Sequence, residues 1–92
     1  MDIRQLRFFV SVAHHRNFTE AAKELYIAQP VVSQQIADLE RQVGTKLLSR
    51  TKRTVQLTPA GEFFLDGTKL LLNQLDELVT KLVLSPLVYK GI

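Results

Sequence analysis

Between Thr58-Pro59 and Pro86 runs a helical pattern that is too long for so short a chain to bury. Threonine suits the capping position, proline suits the first helical position, and the second proline stops the run. About 26 residues at 1.5 Å each predict a rod of about 39 Å. A globule of 92 residues is only about 25 Å across, taken as twice its radius of gyration. The helix must therefore protrude or find a partner. Phe64, Leu71, Leu75, Leu78 and Leu82 follow a/d-like spacing, Leu65, Leu72 and Val79 lie one position round, and Phe63, Leu70 and Val83 widen the face. A closed intramolecular bundle would need more helix than the remaining residues supply. A second copy of the chain is the simplest cover for these stripes, which predicts a homodimer through the long helix.

The segment before it breaks into shorter pieces. Asp2 and Gln5 have the spacing of a capping box, and Leu6, Phe9, Val10 and Ala13 recur at helical intervals with Phe8 and Val12 alongside. This predicts an amphipathic helix over about 2–14, ended by His14, His15, Arg16 and Asn17. Asn17 with Glu20 opens a second, short helix whose buried positions are Ala21, Ala22 and Leu25. After a tight turn, Pro30 starts a third helix carrying Val32, Ile36, Leu39 and Val43, and Gly44 supplies a left-handed cap. Ala28, before that helix, has no side chain to cap it. Two short helices joined so tightly form a helix-turn-helix pattern. Residues 46–50 and 54–57 then read as two short strands about a Thr51-Lys52-Arg53 turn, a hairpin that must lean on the helices. Phe8, Phe9, Phe18, Ile36 and Leu39 are the predicted core.

Charge separates these pieces. From 41 to 61 stand Arg41, Lys46, Arg50, Lys52 and Arg53 with no acidic residue, while 25–37 carries no charge of either sign. A basic element beside a neutral, polar one suits phosphate contact next to base reading. The same pattern also fits a solvated loop beside a core helix. Cysteine is absent, which excludes a disulfide scaffold, a thiolate metal site and a thiol nucleophile. His14 and His15 are adjacent and should point to different sides of their helix, so no metal site is predicted. No catalytic grouping of serine, histidine and carboxylates is visible, and no phosphate-cradling glycine loop. The chain reads as a non-enzyme that needs no cofactor, without signal peptide or membrane span, consistent with a cytoplasmic setting.

The stretch FTEAAKELYIAQPVVSQQIADLERQVGTKLLSRTKRTVQLTPAGEFFL closely resembles the N-terminal domain of LysR-type transcriptional regulators. The pieces that carry the resemblance are Phe18-Thr19-Glu20-Ala21-Ala22, Gln29-Pro30-Val31-Val32-Ser33, Leu39-Glu40, Gly44, Leu47-Leu48 with Arg50, and Leu57-Thr58-Pro59-Ala60-Gly61. The resemblance spans about 3–84. It implies a mainly α fold: a winged helix-turn-helix of three helices plus a two-stranded wing, followed by a long dimerisation and linker helix. The expected division is 1–58 for the winged helix-turn-helix (helix-turn-helix about 18–37, wing about 46–57) and 59–84 for the linker helix. Residues 85–92 would begin a hinge to an effector-binding domain, absent here, through which alone a small-molecule inducer would act. A protein with that domain is expected to form a tetramer.

The resemblance also implies sequence-specific binding of double-stranded operator DNA, with the helix from Pro30 in the major groove and the wing in the minor groove. Gln29, Ser33, Gln34 and Gln35 are the candidate base readers, because uncharged hydrogen-bonding side chains in the first turns of such a helix reach base edges. Pro30 and Val31 are placed to touch thymine methyls, and Thr19 to donate to phosphate. Arg50, Lys52 and Arg53 suit the negative potential of a narrow minor groove. Gln34 departs from the arginine common in the family, and glutamine favours adenine where arginine favours guanine. The alternative is a winged-helix protein-interaction or dimerisation module that has lost DNA binding.

Overall fold

The computed structural model describes residues 1–51 and 54–86. The order is α1 (Ile3–His15), α2 (Phe18–Leu25), α3 (Gln29–Val43), β1 (Leu48–Arg50), β2 (Val55–Leu57) and α4 (Pro59–Leu84). This is the mainly helical winged helix-turn-helix expected from the sequence, with four helices and a two-stranded antiparallel hairpin.

Local chemistry sets most helix ends. Asp2, Asn17 and Thr58 each accept the backbone N–H of the residue three positions on, at 2.7, 2.9 and 2.9 Å. Neither capping box closes at its second half. The Gln5 side chain is buried and crosses to α3, where it donates to the Gln35 carbonyl at 3.0 Å. A buried amide left without partners is costly, and the Asp2 end of α1 lies in solvent. The Glu20 carboxylate accepts from Lys23 at 3.4 Å instead. Arg16 and Tyr26 end α1 and α2 in the left-handed region, and Gly44 ends α3 there with φ of 79°.

Helices α1, α2 and α3 enclose the core of Leu6, Phe9, Val12, Ala21, Val32, Ile36 and Leu39, with Leu47 and Leu48 closing it from the hairpin side. The predicted core residues Phe8, Phe9, Phe18, Ile36 and Leu39 are all buried. Between α1 and α2, the Ser11 hydroxyl donates to Glu24 at 2.8 Å and the His15 ring meets the same carboxylate at 2.9 Å. These two contacts, Ser11 first, hold the Glu24 carboxyl below its ordinary range. The His14 and His15 rings do not diverge as adjacency suggested. They meet edge to face with centroids 5.0 Å apart.

The strands are shorter than the sequence pattern, three residues each, paired Leu48↔Leu57 to Arg50↔Val55. Residues 46 and 47 serve a different purpose. Thr58 donates its N–H to the Leu47 carbonyl at 3.1 Å and its hydroxyl to the Lys46 carbonyl at 2.7 Å. That pair fastens the start of α4 to the start of the wing. From there α4 runs past the globule, giving extents of 55 × 26 × 20 Å and a radius of gyration of 15.8 Å. A compact chain of this length would have about 12 Å.

Candidate nucleic-acid interface

The turn into α3 is built from backbone bonds. The Tyr26 N–H reaches the Lys23 carbonyl at 3.3 Å and the Ile27 N–H reaches Ala22 at 3.1 Å. Ala28 then caps α3 without a side-chain bond, as its methyl group requires, and Pro30 occupies the first turn. Tyr26 is left with 95% of its surface exposed beside that start.

Val32, Ile36 and Leu39 turn inward on α3, so Gln29, Pro30, Val31 and Gln34 are exposed on its outer side. Gln29 donates to the Ser33 hydroxyl at 2.8 Å across one helical turn, which ties two candidate base readers into one unit. Gln34 donates to Asp38 Oδ1 at 3.2 Å, and Asp38 is in turn ion-paired with Arg41. Gln35 is half-buried and turned toward α1 through the Gln5 bonds. It stands apart from the exposed candidates.

The hairpin is carried on α3 by one side chain. Glu40 is buried, and its Oε2 accepts the N–H of Leu47 at 2.8 Å and of Leu48 at 3.2 Å, with Lys46 Nζ 3.8 Å from Oε1. A groove between α3 and β1 runs over Ala37, with Lys46 and Arg50 on its wall. The Arg50 guanidinium lies 4.1 Å from the centre of the Phe18 ring, a cation–π contact that parks its charge over the start of α2. Thr19, the next residue, is exposed there. At the strand ends Thr51 and Thr54 bond through N–H to carbonyl at 2.9 Å and hydroxyl to hydroxyl at 2.8 Å. Lys52 and Arg53 lie outside the described residues.

Sequence reasoning missed Asp38 and Phe18 as partners of Gln34 and Arg50, Arg41 as the partner of Asp38, and Glu40 as the residue that holds the hairpin. The i, i+4 spacing of Gln34 and Asp38 was a usable signal, since such pairs bond on helices. Glu40 gave none, because its partners lie seven and eight residues away and only tertiary packing brings them back.

On α4, Phe64 and Leu75 are half-buried, and Phe64 meets Phe9 edge to face at 5.5 Å. Leu72 is buried. Leu71, Leu78 and Leu82 are 49%, 64% and 52% exposed, and Val79 and Val83 also face solvent. Thus the stripes divide. Phe64, Leu72 and Leu75 are covered, while Leu71, Leu78, Val79, Leu82 and Val83 are bare.

Among the described residues no helix is long and apolar enough to cross a membrane, and no group of three or more histidine or acidic residues could hold a metal.

The description of bacterial regulatory helix-turn-helix proteins of the lysR family matches residues 3–62. The probable cat1 operon transcriptional activator of Acinetobacter lwoffii is 50% identical over 78 residues, covering 85% of this chain and 26% of that protein. The HTH-type transcriptional regulator BudR of Raoultella terrigena is 56% identical over 72 residues, covering 77% of this chain and 25% of that protein. The chain thus spans about a quarter of the length of these curated relatives. Among solved structures, the complex of the BenM DBD with benA site 1 DNA superposes with a TM-score of 0.86 at 44% identity, covering 94% of this chain and 99% of that one.

Proposed function

The chain belongs to the lysR family of bacterial regulatory helix-turn-helix proteins, and from that premise we propose that it binds double-stranded operator DNA. In this reading α3 enters the major groove and the wing reaches the minor groove. The observation that carries it is the outer face of α3, where Gln29, Ser33 and Gln34 present hydrogen-bonding groups without charge, while Lys46 and Arg50 wall the groove over Ala37 of the same helix. Base edges are read by such side chains, while phosphates are held by cations and hydroxyls. Pro30 and Val31 offer apolar contact to thymine methyls, and Thr19 offers a hydroxyl to phosphate. Lys52 and Arg53 add charge next to Arg50 in the sequence. Family membership among regulators, not enzymes, agrees with this role.

The test is salt-dependent binding to duplex DNA. Arg53→Ala should weaken binding to specific and random sequences alike and reduce the slope of log affinity against log salt by about one unit. An unchanged slope would remove Arg53 from the interface. Binding that shows no salt dependence at all would favour the protein-interaction module.

A homodimer through the exposed face of α4 completes the reading, because Leu71, Leu78, Val79 and Leu82 form a bare apolar stripe. Leu78→Glu with Leu82→Glu should sediment as a monomer while keeping its helical circular dichroism, since both side chains are exposed. A dimer that survives the double substitution would place the interface elsewhere. In a protein as long as the relatives, residues beyond α4 would lead to an inducer-binding domain and further assembly into a tetramer, in the cytoplasm.

A further inference from the structure

We propose that Asp38, braced by Arg41, fixes the orientation of the Gln34 amide and so makes this position of α3 select adenine. The inference rests on the reading that α3 enters the major groove and goes beyond it by naming what sets the base preference.

A glutamine amide has a donor end and an acceptor end of nearly equal size, and a free one can present either. Gln34 is exposed, but it is not free. Its Nε2 donates to Asp38 Oδ1 at 3.2 Å. A carboxylate only accepts, so turning the amide over would set its carbonyl oxygen against a negative charge. The nitrogen is therefore held inward and the oxygen outward. Nε2 carries two hydrogens, and only one is used on Asp38. The oxygen and the second hydrogen remain for a base edge, the pair that matches adenine N6 and N7. Cytosine offers only the N4 donor, and guanine O6 or thymine O4 would face the amide oxygen as acceptor against acceptor.

The neighbouring pair shows the contrast. Gln29 donates to Ser33 at 2.8 Å, but a hydroxyl can donate or accept, so that amide can turn over without loss. Only Gln34 is locked by charge. Arg41 lies three residues beyond Asp38 and pairs with it, which offsets the repulsion an acid would feel beside phosphates. Asp38 acts here as a positioning residue.

The experiment selects bound sequences from a random duplex pool with the 92-residue chain, then measures synthetic duplexes carrying all four bases at each half-site position. The variants are Gln34→Ala and Asp38→Asn, the second being near in shape but able to donate or accept. The original chain should prefer adenine over guanine by about tenfold at one position of each half-site, the size of one good base contact. Gln34→Ala should flatten that position alone. Asp38→Asn should leave it at about twofold or less, with the other positions unchanged and the melting temperature within about 2 °C, as expected for an exposed pair. Removing the acid also raises affinity for all duplexes, a change that cancels in the base profile. A profile in Asp38→Asn identical to that of the original chain overturns the proposal while leaving base reading by Gln34 intact. A guanine preference at the Gln34 position overturns it as well. If Gln34→Ala changes no position, Gln34 reads nothing and the proposal falls. Absence of any sequence preference in the original chain would sink the DNA-reading function itself.

Discussion

Gly61→Ala should destabilise the protein by about 3 kcal/mol and lower its urea midpoint markedly, although alanine is the better helix former. A Cβ at position 61 would overlap the Leu47 carbonyl, with the carbonyl carbon 2.9 Å and the Leu47 Cα 3.2 Å away. The obstacle is backbone, so no rotamer change relieves it. The start of α4 would have to move off the chain at 46–47, breaking the Thr58 bonds to the Leu47 and Lys46 carbonyls. Overpacking costs about 1–3 kcal/mol, and losing the two Thr58 bonds adds about 1 each, against a propensity gain of about 1. A net loss of about 3 kcal/mol is large for a domain this small. Gly67 in the same helix is the control, because a Cβ there meets nothing within 4 Å. On the Leu78→Glu, Leu82→Glu background, Gly67→Ala should raise stability by about 0.5–1 kcal/mol. Urea unfolding followed by circular dichroism measures both. Equal effects at the two glycines would mean that α4 does not touch Leu47 in solution.

Glu40→Ala should cost about 3 kcal/mol and loosen the wing from α3. The Leu47 and Leu48 amides are buried and share one carboxylate oxygen, at 2.8 and 3.2 Å. Truncation leaves two buried donors unpaired, each costing about 1–3 kcal/mol, and part of this is recovered because a buried charge no longer has to be desolvated. Glu40→Gln keeps an oxygen that can accept from both, so it should lose only about 1 kcal/mol. The midpoints of urea unfolding should fall in the order original chain, Glu40→Gln, Glu40→Ala. Amide hydrogen exchange at 47 and 48 should quicken most in the last. If Glu40→Ala unfolds within about 0.5 kcal/mol of the original, the carboxylate does not hold these amides.

The candidate site was partly legible for the same reason that the caps were. Helical period places Val32, Ile36 and Leu39 inward and leaves Gln29, Pro30 and Gln34 outward, and this needs only the sequence of α3. Gln35 shows the limit. It looked equivalent to Gln34 in composition, but its position one residue round turns it toward Gln5 of α1. On α4 the stripes read as one broad face. Contact with Phe9 takes Phe64 inward, and Leu72 is buried, while Leu78 and Leu82 remain bare.

What the sequence by itself determined was where helices start and stop, features set within about one turn of backbone. Asp2, Asn17 and Thr58 start helices, Gly44 ends one, and the run from Pro59 outgrows the globule by length alone. The tertiary structure alone decided the pairings across elements: Gln5 with Gln35, Glu40 with the amides of Leu47 and Leu48, Arg50 on Phe18, and Gly61 against Leu47. Caps and periodicity are short-range because one turn of backbone brings their partners into contact whatever the rest of the chain does. A buried amide, a buried carboxylate or a missing Cβ finds its partner only after the core has chosen which surfaces meet, and that choice depends on the packing of all the helices at once.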